Sequence, residues 1–490
     1  MKRTPRVYII GAGFAGVSLA LELKRKEVLG EVVAFLDDDA EKIGTRIEGI
    51  PVLGPIDAVV NLLDRQPTDE ALLALPGAGR ERVQAIFALL EQAGFARIRI
   101  LPSLSQIVDG EAHMIQTREI DPQDLLGRTP VHIDLRASMQ YLRGKRVVVT
   151  GAGGSIGSEL CRQLLSGGAQ RLYLFGHGEN AIYEIDRELR LLQDEGVGER
   201  ASIVPVIGEI QDRDYMHFIL KRLRADVVLH TAAYKHVPLG ENNPVETIRN
   251  NVFGTKNLID AASAAGVERV VFISTDKVVE PLSVYGASKR IAEEIVLSAT
   301  ENGHTYMAVR FGNVLSARGS IVPLFQKQIR KGGPVTVTHP DTTRFYMTIP
   351  EAASLVLKTG GVGEPGGLYL LDMGEPVRIR DLAEQLITIH GYKPYEEIDI
   401  EYIGMRPGER VHESLLADGE VSESTSHQKI LRISRSAHTR LDLDALIGAL
   451  RPVCYLDESR PELYRNRREL RSILSRHIPS ISVPEDEPEY

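Results

Sequence analysis

Apolar and polar positions follow the order strand, glycine turn, helix at two places in the chain. Residues Arg6–Ala20 read RVYIIGAGFAGVSLA, and residues Arg146–Leu160 read RVVVTGAGGSIGSEL. Each segment is a β-branched apolar run, then a glycine cluster, then apolar residues at helical spacing. This order is typical of the start of a parallel α/β sheet, and its two occurrences predict two dinucleotide-fold units rather than a repeat array.

The first unit is predicted to span residues 1–128 and to be a Rossmann-like domain of the nucleotide-binding type. Its second strand is expected at Glu31–Leu36. A helix near Glu81–Ala93 is expected to precede a strand at Ala96–Pro102. Residues 129–144 are interpreted as a linker with a short helix.

The second unit, residues 145–478, is interpreted as the catalytic domain. Its core is predicted at residues 145–311, and a smaller α/β substrate-binding subdomain mainly at residues 312–478, where the regular alternation weakens. The acidic, proline-containing tail, residues 479–490, is predicted to be disordered. The predicted fold class is α/β, with two Rossmann-like doubly wound parallel-sheet domains. The core strands are expected near Arg171–Phe175, Ser202–Ile207, Asp226–His230, Arg269–Ser274 and Thr305–Phe311.

Composition narrows the class of protein. The net charge is −9, which argues against a nucleic-acid surface. The only cysteines, Cys161 and Cys454, support neither a disulfide framework nor a cysteine-rich metal site, and no metal is expected. No apolar stretch approaches the ~20 residues that span a bilayer, and the N-terminus lacks the features of a signal peptide. We therefore expect a soluble, cytoplasmic protein without a transmembrane segment.

The second glycine cluster is a candidate cofactor site. Gly151, Gly153, Gly154 and Gly157 lie where a strand turns into a helix, with Ser155 and Ile156 opening that helix. Glycines let a pyrophosphate approach the helix N-terminus, where free N–H groups and the helix dipole favour negative charge. A turn that merely needs glycine is the alternative. The strand before it and the helix after it favour a dinucleotide.

Two further positions bear on the cofactor. After Arg171–Phe175, the place of the usual ribose-binding acid holds His177, with the nearest carboxylate displaced to Glu179. This leaves NAD and NADP both open, with NAD favoured. Glu209 and Ile210 follow another strand and are placed to meet an adenine, although an ordinary turn explains them equally well.

The first glycine cluster, Gly11, Gly13 and Gly16, fits the dinucleotide pattern more closely. Asp37 follows it by about 20 residues, where a ribose-binding acid belongs. The unit has no Tyr-x-x-x-Lys pair and no cluster of acids and bases. A nucleotide-like ligand and a purely structural or oligomerisation role both remain open for this domain.

The segment Ser274–Lys289 carries the candidate chemistry. Thr275 follows a buried strand at the edge where open α/β sheets bind ligands. Tyr285 and Lys289 are spaced to share one face of the following helix. An ammonium beside a phenol favours the phenolate, which can take a hydroxyl proton while hydride leaves the same carbon. Thr275 can hydrogen-bond the same hydroxyl. A surface pair of residues is the less favoured alternative.

Asp276 and Lys277 add a second pair of groups. Oxidising a sugar hydroxyl to a ketone acidifies the neighbouring C–H, so a base can remove that proton while an acid expels the next hydroxyl as water. Asp276 as acid and Lys277 as base fit these two steps, provided that Asp276 is held protonated and Lys277 neutral. A solvated charge pair at a strand end is the alternative.

With these motifs the second unit resembles the extended short-chain dehydrogenase/reductase superfamily. Within it, the chain resembles the bacterial polysaccharide-biosynthesis nucleotide-sugar 4,6-dehydratases, the capsular and O-antigen type acting on UDP-N-acetylglucosamine, in their long form without its membrane-spanning region. The resemblance covers nearly the whole chain. It is carried by Val149–Leu160, Gly176–Ile185, His230–Leu258, Ser274–Arg290, Arg310–Ala352 and Arg406–Leu416.

The resemblance implies a redox-neutral lyase that converts a UDP-sugar to its 4-keto-6-deoxy product with a tightly bound, recycled NAD(P). Tyr285 would deprotonate the 4-hydroxyl, and Asp276 and Lys277 would remove water across C5 and C6. A homo-oligomer is a further family expectation. Ala232, Ala233, Lys235 and Asn250 are implied cofactor residues; His236, Asn313, Ser320, Thr336, Arg344, Arg406 and Glu409 are implied substrate residues. Arg344 and Arg406 could clamp a diphosphate, with surface salt bridges as the alternative.

Two features depart from the family pattern. Long members carry a membrane-spanning region before their first dinucleotide-like domain, whereas this sequence starts at that domain. Many long members also have methionine where this chain has Tyr285, so the configuration of the product at C5 stays open. A nucleotide-sugar 4-epimerase, which needs Tyr285 and Lys289 but neither Asp276 nor Lys277, is the rival enzyme. A non-catalytic dinucleotide-sensing protein is the rival of another class.

Overall fold

The computed structural model of the protein describes most of the chain. The described residues are 6–26, 31–62, 69–75, 78, 80–95, 97–100, 118–119, 138–194, 196–300, 303–390, 392–436 and 440–488. The predicted α/β class is confirmed, because parallel strands alternate with helices in two separate sheets.

The N-terminal domain is a doubly wound sheet with helices packed on it. Its strand order is β3-β4-β2-β1-β5-β6-β7, and β1 pairs in parallel with both β2 and β5. The predicted helix near Glu81–Ala93 and the predicted strand after it are both present. Residues 101 and 102 of the predicted strand lie outside the described residues. The strands are β1 Arg6–Ile10, β2 Glu31–Leu36, β3 Arg46–Ile47, β4 Ile50–Leu53, β5 Glu70–Leu73, β6 Arg97–Ile100 and β7 Arg118–Glu119; the helices are α1 Phe14–Lys26, α2 Val59–Leu62 and α3 Arg80–Gln92.

The core of the second domain is also a doubly wound sheet. Val147, Val148 and Val149 in one of its interior strands are fully buried, as expected of a parallel strand covered by helices on both faces. The first part of the domain contains β8 Arg146–Thr150, α4 Ser155–Leu164, β9 Arg171–Gly176, α5 Glu179–Asp194, β10 Ser202–Ile207, α6 Arg213–Leu223, β11 Val227–His230, α7 Val237–Asn242, α8 Pro244–Ile248, a π-helical turn Arg249–Phe253, α9 Gly254–Ala264, β12 Arg269–Ile273, α10 Val284–Ser298 and β13 Thr305–Arg310.

The remainder of the second domain is divided between the main sheet and a small lobe. Its elements are β14 Asn313–Val314, α11 Ile321–Ile329, β15 Val335–Val337, β16 Thr343–Arg344, β17 Tyr346–Met347, α12 Ile349–Val362, β18 Leu368–Leu371, β19 Val377–Arg378, α13 Ile379–Ile389, β20 Ile400–Tyr402, β21 Glu420–Ser424, β22 Ile430–Arg435, α14 Leu443–Cys454 and α15 Arg467–His477.

The predicted boundary at residue 312 needs correction. The main sheet has the order β10-β9-β8-β11-β12-β13-β18-β22-β21, so three strands from the predicted subdomain extend the core sheet. β18 continues it in parallel, and β22 and β21 follow antiparallel. The separate lobe has its own small core, which contains Val322, Phe325, Leu382 and Leu386. Sequence alternation missed the added strands because their partners lie far away in the chain.

The predicted disorder of the tail is also wrong for residues 479–488. Ile481 is 2% exposed and Glu487 is 4% exposed. The Glu487 carboxylate pairs with Arg467 at 2.8 Å and with Arg471 at 2.6 Å. The arginines of α15 therefore neutralise a tail whose acidic composition predicted disorder.

The predicted linker is only partly described. Residues 129–137 lie outside the described residues, and a single 3₁₀ turn occupies Gln140–Leu142. Met139 and Leu142 are fully buried in the core of the second domain. Among the described residues, no helix combines the length and apolarity that crossing a membrane requires.

Candidate active site

The candidate site lies at the carboxyl ends of β8, β11 and β12. These strands are parallel neighbours, so the loops that follow them open at one edge of the sheet. The strand order changes direction at β8, between β9 and β11, which is where open α/β sheets bind dinucleotides. The glycine cluster after β8 and Thr275 after β12 therefore belong to one crevice.

The glycine cluster has the shape that a dinucleotide needs. Gly151 has φ +67°, and a Cβ added there would lie 2.8 Å from Oγ1 of Thr231. A Cβ on Gly153 would lie 2.6 Å from Cβ of Ala181. Gly154 caps α4, whose first N–H groups have no acceptor within the helix. The turn fits a pyrophosphate, because it combines bare backbone with free donors.

Arg318 reaches this turn from the loop between β14 and α11. Its backbone N–H donates to Oγ of Ser155 at 3.0 Å. Its guanidinium donates to the carbonyl of Gly153 at 3.2 Å and to Glu184 at 3.2 Å. Sequence reasoning did not select Arg318, because its approach depends on how the lobe folds against the sheet.

The other predicted cofactor residues after β9 and β10 differ in their exposure. His177, Glu179 and Glu209 are exposed after β9 and β10. Ile210 differs from the prediction, because its side chain is 4% exposed and packs against Gly254 in the core.

The side-chain amide of Asn251, which was not predicted, holds the residues after β11 in place. Ala232 and Ala233 are half-buried, and Lys235 is exposed. Asn251 accepts a hydrogen bond from the N–H of Tyr234 and donates to the carbonyl of Tyr234 and to Ser288. The predicted residue Asn250 lies beside it, accepting from Gln211 at 3.3 Å and donating to Asn251 at 3.0 Å. The π-helical turn that carries both asparagines gave no signal in the sequence.

Tyr285 and Lys289 occupy one face of α10, as the spacing predicted. Ser283 caps this helix by accepting from the N–H of Gly286. Burial raises the pKa of Tyr285, whereas the charge of Lys277 and a hydrogen bond with Thr275 act in the opposite direction. The cation that favours the phenolate in this arrangement is therefore Lys277.

Lys289 differs from its predicted state. Its ammonium donates to the carbonyl of Ile273 at 2.5 Å and lies 3.9 Å from the ring centre of Phe272. Burial lowers the pKa of Lys289 to about 7, although Glu293 partly offsets this. Lys289 thus loses much of the charge that the sequence argument assigned to it.

Asp276 and Lys277 are hydrogen-bonded to each other at the end of β12. Asp276 is 1% exposed, and its Oδ1 accepts from Lys277 Nζ at 3.0 Å and from Thr275 at 2.9 Å. Its Oδ2 is buried and has no hydrogen-bond partner among the described residues. That oxygen therefore keeps an unused capacity to accept a hydrogen bond.

The predicted neutral state of Lys277 is wrong for this arrangement. Burial opposes its charge, but the carboxylates of Asp276 and Glu413 outweigh burial and raise the pKa of Lys277. Glu413 lies 3.6 Å from Nζ and was not predicted from sequence. Asn313, which was predicted, accepts from the same Nζ at 3.0 Å.

The two arginines predicted to clamp a diphosphate, Arg344 and Arg406, both have partners within the protein. Arg344 is 8% exposed and donates to the carbonyls of Thr343, Arg410 and Val411. These hydrogen bonds satisfy backbone carbonyls of the loop before β21, and they thereby hold that loop in place. Arg406 is half exposed and pairs with Glu409 at 2.5 Å.

The remaining predicted substrate residues line the lobe. Ser320 caps α11, and its buried Oγ has no partner among the described residues. Thr336 accepts from Gln328 at 2.7 Å. His236 faces Gly319, where an added Cβ would lie 2.6 Å from its ring.

The N-terminal glycine cluster has a comparable turn. Gly11 has φ +104°, and Asp37 accepts from the N–H of Ala12 at 2.6 Å. Lys42 lies 3.7 Å from the same carboxylate. The acid predicted for a ribose thus lies beside the glycine turn, within reach of a ligand there.

Comparisons with known proteins agree with both units. Residues 147–435 match the polysaccharide biosynthesis protein family, and residues 2–102 match the CoA-binding domain family. The chain is 42% identical over 427 residues to the probable polysaccharide biosynthesis protein EpsC of Bacillus subtilis (strain 168), covering 87% of this chain and 70% of that protein.

Two further relatives are more distant. A UDP-N-acetylglucosamine 4,6-dehydratase (inverting) of Campylobacter jejuni (serotype O:23/36, strain 81-176) is 29% identical, covering 60% of this chain and 84% of that protein. The X-ray structure of Pen from Bacillus thuringiensis is 31% identical with a TM-score of 0.55, covering 61% of this chain and 90% of that chain. The resemblance stated from sequence is confirmed: the chain belongs to the polysaccharide biosynthesis protein family.

Proposed function

We propose that the protein is an NAD(P)-dependent hydro-lyase that removes water from UDP-N-acetylglucosamine to give the 4-keto-6-deoxy sugar, in polysaccharide precursor synthesis. The observation that carries the proposal is the 3.0 Å hydrogen bond between Lys277 and Asp276, next to Tyr285. A plain oxidoreductase or a 4-epimerase needs Tyr285 but has no use for an additional acid–base pair.

The cofactor, held by the glycine turn of residues 151–157, would supply hydride acceptance from C4 and hydride return to C6. Tyr285 would take the proton of the 4-hydroxyl. Thr275 would orient that hydroxyl, since it contacts both Tyr285 and Asp276.

The ion pair of Asp276 and Lys277 is compatible with the elimination. Transfer of one proton from Nζ to the carboxylate gives a neutral acid and a neutral amine, with no change in the number of bound protons. Lys277 would then take the C5 proton while Asp276 protonates the leaving 6-hydroxyl. The pair returns to ammonium and carboxylate, ready for the later protonation step.

Product analysis tests the proposal. The purified protein is incubated with UDP-N-acetylglucosamine, and the product is examined by mass spectrometry and NMR. Loss of one water and a new 6-methyl group are expected. An unchanged mass with inversion at C4 would instead identify an epimerase.

The N-terminal domain is proposed to bind a nucleotide-like ligand. The position of Asp37 at the glycine turn supports this. Calorimetric titration with coenzyme A, NAD and UDP-N-acetylglucosamine tests it, with Asp37→Ala as the matched variant. Equal heats for the protein and the variant with all three ligands would contradict it.

A further inference from the structure

Glu413 is a buried acid that neither the sequence nor the comparisons assign to the reaction. Its side chain is 7% exposed. One carboxylate oxygen lies 3.6 Å from Nζ of Lys277 and 3.8 Å from Nε of Arg344. The loop that carries Glu413 is fixed by Arg344, which donates to the carbonyls of Arg410 and Val411. The hydrogen bonds to the main chain of this loop thus keep the Glu413 carboxylate in the site.

A purely structural buried ion cluster elsewhere in the domain looks different. Arg310 donates to the carboxylates of Glu293 and Glu420 through hydrogen bonds of 2.6 to 2.9 Å, and all three side chains are fully buried. Glu413 instead lies beyond hydrogen-bonding distance from both of its cations. It contributes charge to Lys277 without fixing the ammonium in a direct hydrogen bond.

The charges around Lys277 change during the proposed elimination. At rest, Asp276 and Glu413 face the ammonium, with Tyr285 nearby. Once Asp276 has taken the proton, Glu413 is the carboxylate that still faces Nζ. An ammonium that forms again on Lys277 then meets a counter-charge that is already in place, and no reorganisation is required.

We propose that Glu413 is a positioning residue of the elimination, which directs Nζ of Lys277 and stabilises the ammonium formed as it takes the C5 proton. This rests on the proposed dehydratase function. In the step, the C5–H bond breaks, its proton forms an N–H bond on Lys277, and its electron pair becomes the C5–C6 double bond. The C6–O bond breaks, and Asp276 protonates the departing hydroxyl to water.

The test compares Glu413→Gln with wild type as full-length, cofactor-loaded proteins. We expect dehydration to fall by about 10- to 100-fold. Oxidation at C4 should keep its rate, so that reduced cofactor accumulates, and KM should change little. Loss of a carboxylate lowers the pKa of Lys277, so the alkaline limb of the pH–rate profile should move to lower pH.

Two variants serve as references. Asp418→Asn removes an exposed acid from the same loop and should behave as wild type. Glu413→Asp keeps the charge and should restore the alkaline limb toward its wild-type position. Equal loss of oxidation and dehydration in Glu413→Gln, or an unchanged pH profile, would overturn the inference. If wild type itself forms no dehydrated product, the proposed function fails instead.

Discussion

The Nζ atom of Lys277 lies 3.0 Å from Oδ1 of Asp276, inside a site where the carboxylate is 1% exposed. At this distance a proton can pass between the two groups without solvent. The charged pair and the neutral pair therefore hold the same number of protons and differ only in which group carries one of them. The neutral pair contains both the acid and the base that water loss requires.

Replacing Lys277 by alanine should separate oxidation from water loss. Tyr285 and the glycine turn remain, so reduced cofactor should still appear after the sugar is added, more slowly because Tyr285 loses the charge of Lys277, and with no dehydrated product. Absorbance of the reduced nicotinamide and mass spectrometry measure the two steps. Lys331→Ala, which removes the side chain of an exposed lysine, is the control. Dehydration by Lys277→Ala at the wild-type rate would show that another group is the base.

Replacing Tyr285 by phenylalanine should slow the first step. The ring keeps its packing in the helix Val284–Ser298, but the proton acceptor is lost, which costs about 100- to 10,000-fold in rate. Single-turnover cofactor reduction measures the loss. A wild-type rate of reduction would assign the base elsewhere.

The buried Lys289 should make stability depend on pH. Its pKa falls from 10.5 to about 7 on folding, because burial disfavours the ammonium. Between these values the unfolded chain binds the additional proton, so the free energy of unfolding rises with pH. Lys289→Met should therefore be stabilising at neutral pH, on the order of a few kcal/mol, with a smaller gain toward pH 10.5. Urea unfolding measures this, and a gain that is independent of pH would contradict it.

Arg318 should slow release of the cofactor. It links the lobe to the glycine turn through Gly153 and Ser155, above the N-terminus of α4. Arg318→Ala should lose bound dinucleotide during purification and show a faster release of a fluorescent reduced cofactor. Lys331→Ala removes a cation from the same lobe and should retain the dinucleotide. Equal dinucleotide content in the two variants would argue against this role.

The sequence predicted the core sheet closely because its signal is local. Apolar runs such as Val147–Val149 are buried on both sides, and Thr275 and Tyr285 follow recognisable strand and helix patterns. The bounds of the core strands differ by about one residue. Asp226, for example, leaves the predicted strand because its carboxylate binds the N–H and guanidinium of Arg146.

The features that the sequence missed depend on contacts between distant segments. Glu413 approaches Lys277 only because Arg344 secures the loop before β21. The charge states of Lys277 and Lys289 likewise depend on contacts with distant segments of the chain. Lys289 is buried and Lys277 is half-buried, and only Lys277 meets carboxylates close enough to outweigh the effect of burial on its pKa. Spacing along the chain carries no information about such partners.

The most direct test of the dehydratase assignment uses UDP-N-acetylglucosamine with deuterium at C4. Because the hydride removed from C4 would be returned to C6 of the same sugar, the product is expected to have lost water and to carry deuterium in its 6-methyl group. NMR and mass spectrometry of the product report both. Deuterium retained at C4, in a product of unchanged mass, would rule out the dehydratase mechanism.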